Sequence, residues 1–200
     1  MIESKSLPNA ACDASPSLGI DTVALVLFWV AVNAVAFWSG WQLGGNDFSS
    51  TGIERPLRNA FYGAFIGSAQ LLVFTFVTSL RSRRILLWPV ATSVGFCMGV
   101  LLVRIILRIL PFQNYIQGEI FGVVIGSSVV GCQWLAIGPI LNTFGTRISR
   151  LWLFSNLFAW ILVEMLSSRL GYHGLWRILI VGAAMGVGTS WALARVHQIR

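Results

Sequence analysis

The sequence predicts an all-α protein, an integral membrane bundle of six helices made of three repeated helical hairpins. The first observation is composition: 56% of the 200 residues are hydrophobic and 10% are charged, whereas about a quarter of a soluble domain is charged. The second is a series of six apolar runs, each near the roughly 20 residues that a helix needs to cross a bilayer. The third is an internal repeat that relates these runs in pairs. The chain length fits one such bundle, so we expect no second domain.

The predicted spans begin and end where charged or polar residues interrupt an apolar run. They are Thr22–Leu43, Asn59–Leu80, Ile85–Leu107, Gly118–Leu141, Arg150–Ser167 and Leu175–Ala194, of which the fifth is the shortest. Residues 1–19 are polar, contain two prolines and have little periodicity, which predicts a mobile N-terminal tail. Residues 20–200 form the predicted transmembrane domain.

The repeat gives each pair of helices two signatures. The first helix carries an aromatic, a polar and an aromatic residue at every fourth position, and the second carries spaced glycines. The first signature reads Trp29-x3-Asn33-x3-Phe37, Trp88-x3-Thr92-x3-Phe96 and Trp152-x3-Asn156-x3-Trp160. The second reads Gly63-x6-Gln70 and Gly126-x6-Gln133, and then Gly182, Gly186 and Gly188 without the glutamine. Such self-similarity predicts one hairpin used three times.

Glycines four residues apart predict where the helices touch. Lipid gives no hydrophobic drive for helix association, so membrane helices pack where small residues let their backbones approach. The predicted packing positions are Gly63, Gly67, Gly122, Gly126, Gly182 and Gly186. The alternative is that these smooth faces border a channel or a cofactor crevice, which is the rarer use of such glycines.

Four amides fall inside the apolar runs: Asn33, Gln70, Gln133 and Asn156. An amide in lipid must find a hydrogen-bonding partner. We expect these amides to bond between helices and fix the register of the bundle. The open alternative is a polar site that binds a lipid headgroup, a quinone carbonyl or a pigment.

Ionisable side chains also fall within or beside the apolar runs. Arg104 and Glu164 lie in spans of neighbouring hairpins, and we expect them to form an ion pair, with Arg108 and Glu119 nearby. Charge is costly in lipid, so such groups either pair for structural reasons or mark a functional site. The arginines have a further option, since long side chains can extend to the membrane surface.

Three tryptophans, Trp29, Trp88 and Trp152, each open one copy of the motif. Aromatic residues near the ends of membrane helices usually lie at the boundary between lipid and water. We therefore expect these three in an interfacial belt.

The loops differ in charge, and the difference predicts the orientation of the bundle. Arg81–Arg84 and Thr146–Arg150 are short and purely basic, whereas Gly44–Arg58 is mixed and the loop Pro111–Gln117 is uncharged. Basic loops favour the cytoplasmic side of a membrane. With an even number of spans, both termini are then cytoplasmic.

Residue types that carry catalysis or bind metals are scarce. His173 and His197, the only histidines, lie outside the predicted spans, which excludes a membrane cytochrome b with paired histidine ligands inside helices. Cys12, Cys97 and Cys132 have no metal-binding spacing, and the sequence has no H-E-x-x-H, G-x-S-x-G or Walker motif. We expect no enzymatic activity, no metal and no resident cofactor; a bound pigment or lipid is the open alternative.

Three phrases, LFWVAVNAVAFWSGWQLG, GAFIGSAQLLVF and GSSVVGCQWLAIG, resemble a group of small bacterial membrane proteins that is frequent in cyanobacteria. These proteins repeat a tryptophan-containing helix followed by a G-x3-G…Q-W-L helix. The resemblance covers nearly all of the chain after the tail. It implies the membrane fold and a bacterial inner membrane, or a thylakoid in a cyanobacterium, and it implies no activity.

These observations favour a non-enzymatic role, as a scaffold, assembly factor or accessory subunit that acts through helix faces and basic loops. The alternatives are a small transporter or channel and a lipid- or pigment-binding protein. We expect membrane lipids, other membrane proteins or a second copy of the chain as partners. Nucleic acid is not expected despite the net charge of +7, because the basic residues flank apolar runs as membrane anchors do.

Overall fold

The computed structural model describes residues 22–44, 53–78, 83–109, 114–169 and 175–198, and these residues are almost entirely helical. The helices are α1 (Thr22–Gly44), α2 (Glu54–Thr78), a 3-10 helix (Arg83–Leu86), α3 (Leu87–Ile109), α4 (Asn114–Thr143), α5 (Thr146–Arg169) and α6 (Leu175–Gln198). The prediction of an all-α protein with six long helices is confirmed for this part of the chain. The predicted tail, residues 1–19, lies outside it.

Helix α2 begins inside the segment Gly44–Arg58, which the sequence predicted to be a loop. Its first turn contains Glu54 and Pro56. Proline is tolerated there because the first backbone N–H groups of a helix have no partner within it. A glutamate in the first turn also interacts favourably with the helix dipole. The prediction that the loop extends to Arg58 was therefore wrong, because a proline and charged residues also occur in the first turn of a helix.

The fourth and fifth helices are also longer than predicted. Helix α4 begins at Asn114 and continues through Pro139 to Thr143, and α5 begins at Thr146. Between them Gly145 has a φ of 122°, a conformation that glycine adopts without steric cost. The N–H groups of Phe144 and Gly145 bond to carbonyls in the last turn of α4 at 3.1 and 3.0 Å. This turn replaces the predicted loop Thr146–Arg150.

The six helices form a closed ring in chain order. Each helix packs on its neighbours in sequence, and α6 returns to pack extensively on α1. The other large interfaces join α2 to α3 and α3 to α4, whereas α1 with α2 and α5 with α6 pack less extensively. Helices α1 and α2 were predicted to be hairpin partners, as were α5 and α6. Each of these four helices packs less extensively on its predicted partner than on its other neighbour in the ring.

Four helical segments in the described residues are long and apolar enough to cross a membrane: Thr22–Gly40, Glu54–Phe76, Arg83–Ile109 and Gly122–Thr143. Helix α6 contributes a shorter apolar segment, Leu179–Trp191. Large apolar side chains cover the outside of the ring; Phe61 on α2 and Leu135 on α4 are 74% and 73% exposed. The inside holds the buried core, together with a set of polar side chains.

Candidate functional site: a polar layer between two aromatic layers

The interior of the ring is arranged in three layers, because residues four apart share one face of a helix. The tryptophan layer holds Trp29, Trp88 and Trp152. The polar layer lies one turn further along these helices and receives side chains from α2, α4 and α6; it holds Asn33, Gln70, Thr92, Gln133, Asn156 and Thr189. The aromatic layer lies one turn further again and holds Phe37, Tyr62, Phe96 and Trp160. All of these side chains except the half-buried Tyr62 are buried.

The prediction of an interfacial tryptophan belt is wrong. Trp29 and Trp88 are 1% exposed and Trp152 is 4% exposed. The rings of Trp88 and Trp152 meet edge to face, with centroids 6.0 Å apart. Two of the indole N–H groups have acceptors inside the ring of helices: Trp29 Nε1 donates to Thr189 Oγ1 at 2.6 Å, and Trp88 Nε1 donates to Gln70 Oε1 at 3.2 Å.

A small cavity of about 10 Å³ lies within the tryptophan layer. Its lining residues are Trp29, Phe74, Trp88, Leu141, Trp152, Thr189 and Leu193. This volume is close to the least that holds one water molecule. The tryptophan layer is therefore closely packed around this cavity.

Gln70 is the centre of the hydrogen-bond network in the polar layer. Its Nε2 donates to Asn33 Oδ1 at 2.7 Å. Its Oε1 accepts from Trp88 Nε1 and from Gln133 Nε2, each at 3.2 Å. Gln133 Nε2 also donates to Thr92 Oγ1 at 2.8 Å. One network thus joins α1, α2, α3 and α4.

The polar residues of the first and third helices also bond to their own backbones. Asn33 Nδ2 donates to the carbonyl of Trp29 at 2.9 Å, and Thr92 Oγ1 donates to that of Trp88 at 2.8 Å. In both cases the acceptor is the tryptophan four residues earlier. These bonds hold the side chains in the orientation that presents Asn33 Oδ1 and Thr92 Oγ1 to the glutamines.

Asn156 departs from this pattern. The residue is 2% exposed, and its Nδ2 has no hydrogen-bonding partner. Among the buried side-chain atoms of the described residues, it is the only nitrogen or oxygen without one. Its position in the third motif is equivalent to those of Asn33 and Thr92.

The aromatic layer is a continuous set of ring contacts. Trp160 lies 5.8 Å from both Phe37 and Phe96, measured between ring centroids. Tyr62 contacts the same two phenylalanines edge to face, at 5.9 Å from Phe37 and 5.0 Å from Phe96. Trp160 and Tyr62 therefore each contact both phenylalanines and link them across the ring.

The predicted packing glycines of α2, α4 and α6 lie against α3, α5 and α1, the helices that carry the aromatic–polar–aromatic motif. A Cβ atom added at Gly63 would meet α3 at Phe96, and one at Gly126 would meet α5 at Trp160, each at 2.7 Å. One at Gly182 would meet α1 at the carbonyl of Asn33, also at 2.7 Å. Gly67 likewise faces Pro89 and Thr92 of α3, and Gly186 faces Val30 of α1. Gly122 is buried.

Other close contacts carry residues that the sequence analysis did not single out. Gly95 and Gly99 bring α3 against Val129 and Ile125 of α4, with Cβ positions 2.5 and 2.8 Å away. Thr189, in the polar layer, is a further residue that the sequence analysis did not single out. It follows Gly182 by seven positions, as Gln70 follows Gly63, so the spacing of the repeat alone would have found it.

The predicted ion pair falls only partly in the described residues. Arg104 on α3 is half-buried and Arg108 is exposed. The side chains of Glu119 and Glu164 lie outside the part of the chain that the structure describes. The pairing of Arg104 with Glu164 stays a prediction.

The chemistry available in the layers is hydrogen bonding by amides, hydroxyls and indoles. In the described residues, no three His, Cys, Asp or Glu side chains come close enough to hold a metal ion. Cys97 and Cys132 are free thiols. In comparisons with protein-family models, curated proteins and solved structures, nothing matches this chain.

Proposed function

We propose that the chain is an integral membrane protein of six spans, built from three repeated hairpins, that works without catalysis as a scaffold, assembly factor or accessory subunit. It contacts its partners through its outer helix faces and its basic cytoplasmic loops. Its proposed location is a bacterial inner membrane, or the thylakoid membrane in a cyanobacterium. Partners are membrane lipids and other membrane proteins or a second copy of the chain.

The distribution of side chains supports the membrane part of the proposal. Polar residues such as Asn33 and Thr92 are fully buried, whereas Phe61, Leu72 and Leu135 are at least 70% exposed. A soluble monomer seldom exposes apolar area on this scale. In lipid such a surface is solvated, while buried amides need partners inside the protein.

The packing of the tryptophan layer and of the polar side chains beside it is the observation that carries the scaffold proposal. The three tryptophans fill the middle of the ring around a cavity of about 10 Å³, and the polar side chains next to them bond to one another. A solute pathway needs continuous space and polar groups that are free to bind cargo. A pigment would need far more volume than this cavity has. These features favour a function at the outer faces and the loops.

Site-specific photo-crosslinking in cells tests the scaffold. A photoreactive phenylalanine analogue is placed at Phe61 on α2 or at Phe158 on α5, both strongly exposed, and at the buried Phe96 as the matched control. We expect one protein band, or a second copy of the chain, to be captured at one exposed position and not at Phe96. Capture of lipid alone at every exposed position would contradict the scaffold.

Purification in mild detergent separates the alternatives. We expect a colourless protein whose liposomes take up ions and small polar solutes no faster than empty liposomes. Saturable uptake would instead establish the transporter. Visible absorption or a stoichiometric bound lipid would establish the binding protein.

A further inference from the structure

The polar layer contains two residues from each of the three repeated helix pairs. In the first two pairs the second residue is a glutamine, and in the third pair the glutamine is missing. Gln70 donates to Asn33 in the first copy, and Gln133 donates to Thr92 in the second. In the third copy the equivalent position is Thr189. A threonine side chain has about two non-hydrogen atoms fewer than glutamine and no amide.

The hydroxyl of Thr189 bonds to groups other than Asn156. Its Oγ1 accepts from Trp29 Nε1 at 2.6 Å and donates to the carbonyl of Met185 at 2.8 Å. One lone pair of this oxygen is left, because a hydroxyl accepts two hydrogen bonds. The polar layer therefore contains an unused acceptor on α6 as well as the unused Asn156 donor on α5.

Helices α5 and α6 are in close contact at this level. A Cβ atom at Gly188, next to Thr189, would lie 2.7 Å from Ala159 Cβ and 3.2 Å from the carbonyl oxygen of Ser155. Ser155 Oγ also donates to the carbonyl of Trp152 at 3.2 Å. In the first two motifs the equivalent backbone carbonyl accepts from the polar residue itself, whereas the Asn156 amide does not bond to the carbonyl of Trp152.

We propose that Asn156 and Thr189 form a binding site for one water-sized molecule that both accepts and donates hydrogen bonds, namely a buried water. The water accepts from Asn156 Nδ2 and donates to Thr189 Oγ1, in the space that the shorter side chain leaves. Buried polar groups almost always have a partner, and internal waters typically supply about three bonds of this kind. The site exists only in the third hairpin, since glutamines fill the other two, and it does not depend on the proposed function.

Nuclear magnetic resonance of the full chain in detergent, with ¹⁵N-labelled asparagine, tests the site directly. We expect a rotating-frame cross-peak between the Asn156 side-chain amide protons and water, with the sign of a bound water rather than of proton exchange. Asn33 is the control and gives none, because its amide is bonded within the protein. Thr189→Gln replaces the water with an amide and removes the Asn156 cross-peak. A wild-type spectrum without this cross-peak overturns the proposal.

Thermal unfolding of the same protein gives a second, independent test. Asn156→Leu keeps the shape of the side chain but leaves the water without its donor, so we expect the unfolding midpoint to fall by about 2–4 °C. If the amide is unpaired, the same substitution removes an unsatisfied group and the midpoint rises, which refutes the site. Should Asn156→Leu fail to fold, Thr189→Gln decides: a midpoint equal to or above that of the wild type supports the site, and a lower one counts against it.

Discussion

One side chain, Gln70, contributes to three of the hydrogen bonds between helices, whereas the amide nitrogen of Asn156 in the same layer has no partner within the protein. Both are amides inside apolar helices, and their sequence contexts look alike. The difference lies in what each amide nitrogen meets: Gln70 Nε2 bonds to Asn33 Oδ1, whereas no protein acceptor lies within reach of Asn156 Nδ2. At the scale of residues, the value of a buried polar group thus depends on its partner more than on its own type.

Replacing Gln70 with leucine is expected to destabilise the protein strongly. The change keeps the volume but leaves Asn33, Trp88 and Gln133 each short of a bond, and stranding a buried polar group costs about 1–3 kcal/mol. Ser68→Ala is the control on the same helix, since the exposed Ser68 hydroxyl bonds only to the carbonyl of Ala64. Thermal unfolding in detergent measures both. Equal losses for the two variants would mean that the network does not stabilise the fold.

The sequence was enough to find the polar residues but not their arrangement. Asn33, Gln70, Gln133 and Asn156 are recognisable because amides are rare in apolar helices. Nothing local distinguishes a tryptophan at a membrane surface from one in a core, so Trp29 was predicted in the wrong place. The deciding fact is an acceptor, Thr189, that lies 160 residues away in the chain.

At the scale of the helix, the glycines that were predicted from their spacing face a helix outside their own predicted pair, whereas Gly95, Gly99 and Gly188 pack within a pair. Gly63 of α2 packs against α3, Gly126 of α4 against α5, and Gly182 of α6 against α1. Each contact includes the last residue of an aromatic–polar–aromatic motif. Periodicity predicted that these glycines lie in contacts but could not choose the neighbour, because one spacing serves either side. Helix ends were the other weakness: Pro56 and Pro139 both lie inside helices, the first where a missing N–H costs nothing.

Substituting isoleucine for Gly126 is expected to push α4 away from α5. The new Cβ would lie 2.7 Å from Trp160 Cβ, and overpacking of this kind costs about 1–3 kcal/mol or more. Gly131→Ile is a matched control on the same helix, because a Cβ there meets nothing within 4 Å. Thermal unfolding should show a clear loss for Gly126→Ile and little change for Gly131→Ile. An undiminished midpoint for Gly126→Ile would place that face against lipid.

At the scale of the whole molecule, the ring closes through α6 on α1, and composition supports lipid around it. The layers inside the ring were beyond sequence reasoning, since they need the register of all six helices at once. The orientation in the membrane remains a prediction from the charge of the loops.

Cysteine labelling of intact cells is expected to place both termini in the cytoplasm. In a background without the natural cysteines, Ile53→Cys, just before α2, should react with a membrane-impermeant reagent added outside. Arg84→Cys, in the 3-10 helix after α2, should react only once the cells are opened, because the basic loop that includes it faces the cytoplasm. The loop position Ser82, which lies outside the described residues, should behave like Arg84. External labelling of Arg84→Cys would reverse the orientation.

The bond between Trp29 and Thr189 also sets an order of events during synthesis. The two residues are 160 positions apart, so at 5–20 residues per second the ribosome takes about 8–30 s to supply the second after the first. Throughout that interval the face of α1 that Gly182 and Gly186 later cover lacks its partner helix. A chain that stops before α6 leaves this face uncovered, with a buried indole lacking its acceptor. We therefore expect chains truncated before α6 to be degraded faster in cells than the full chain.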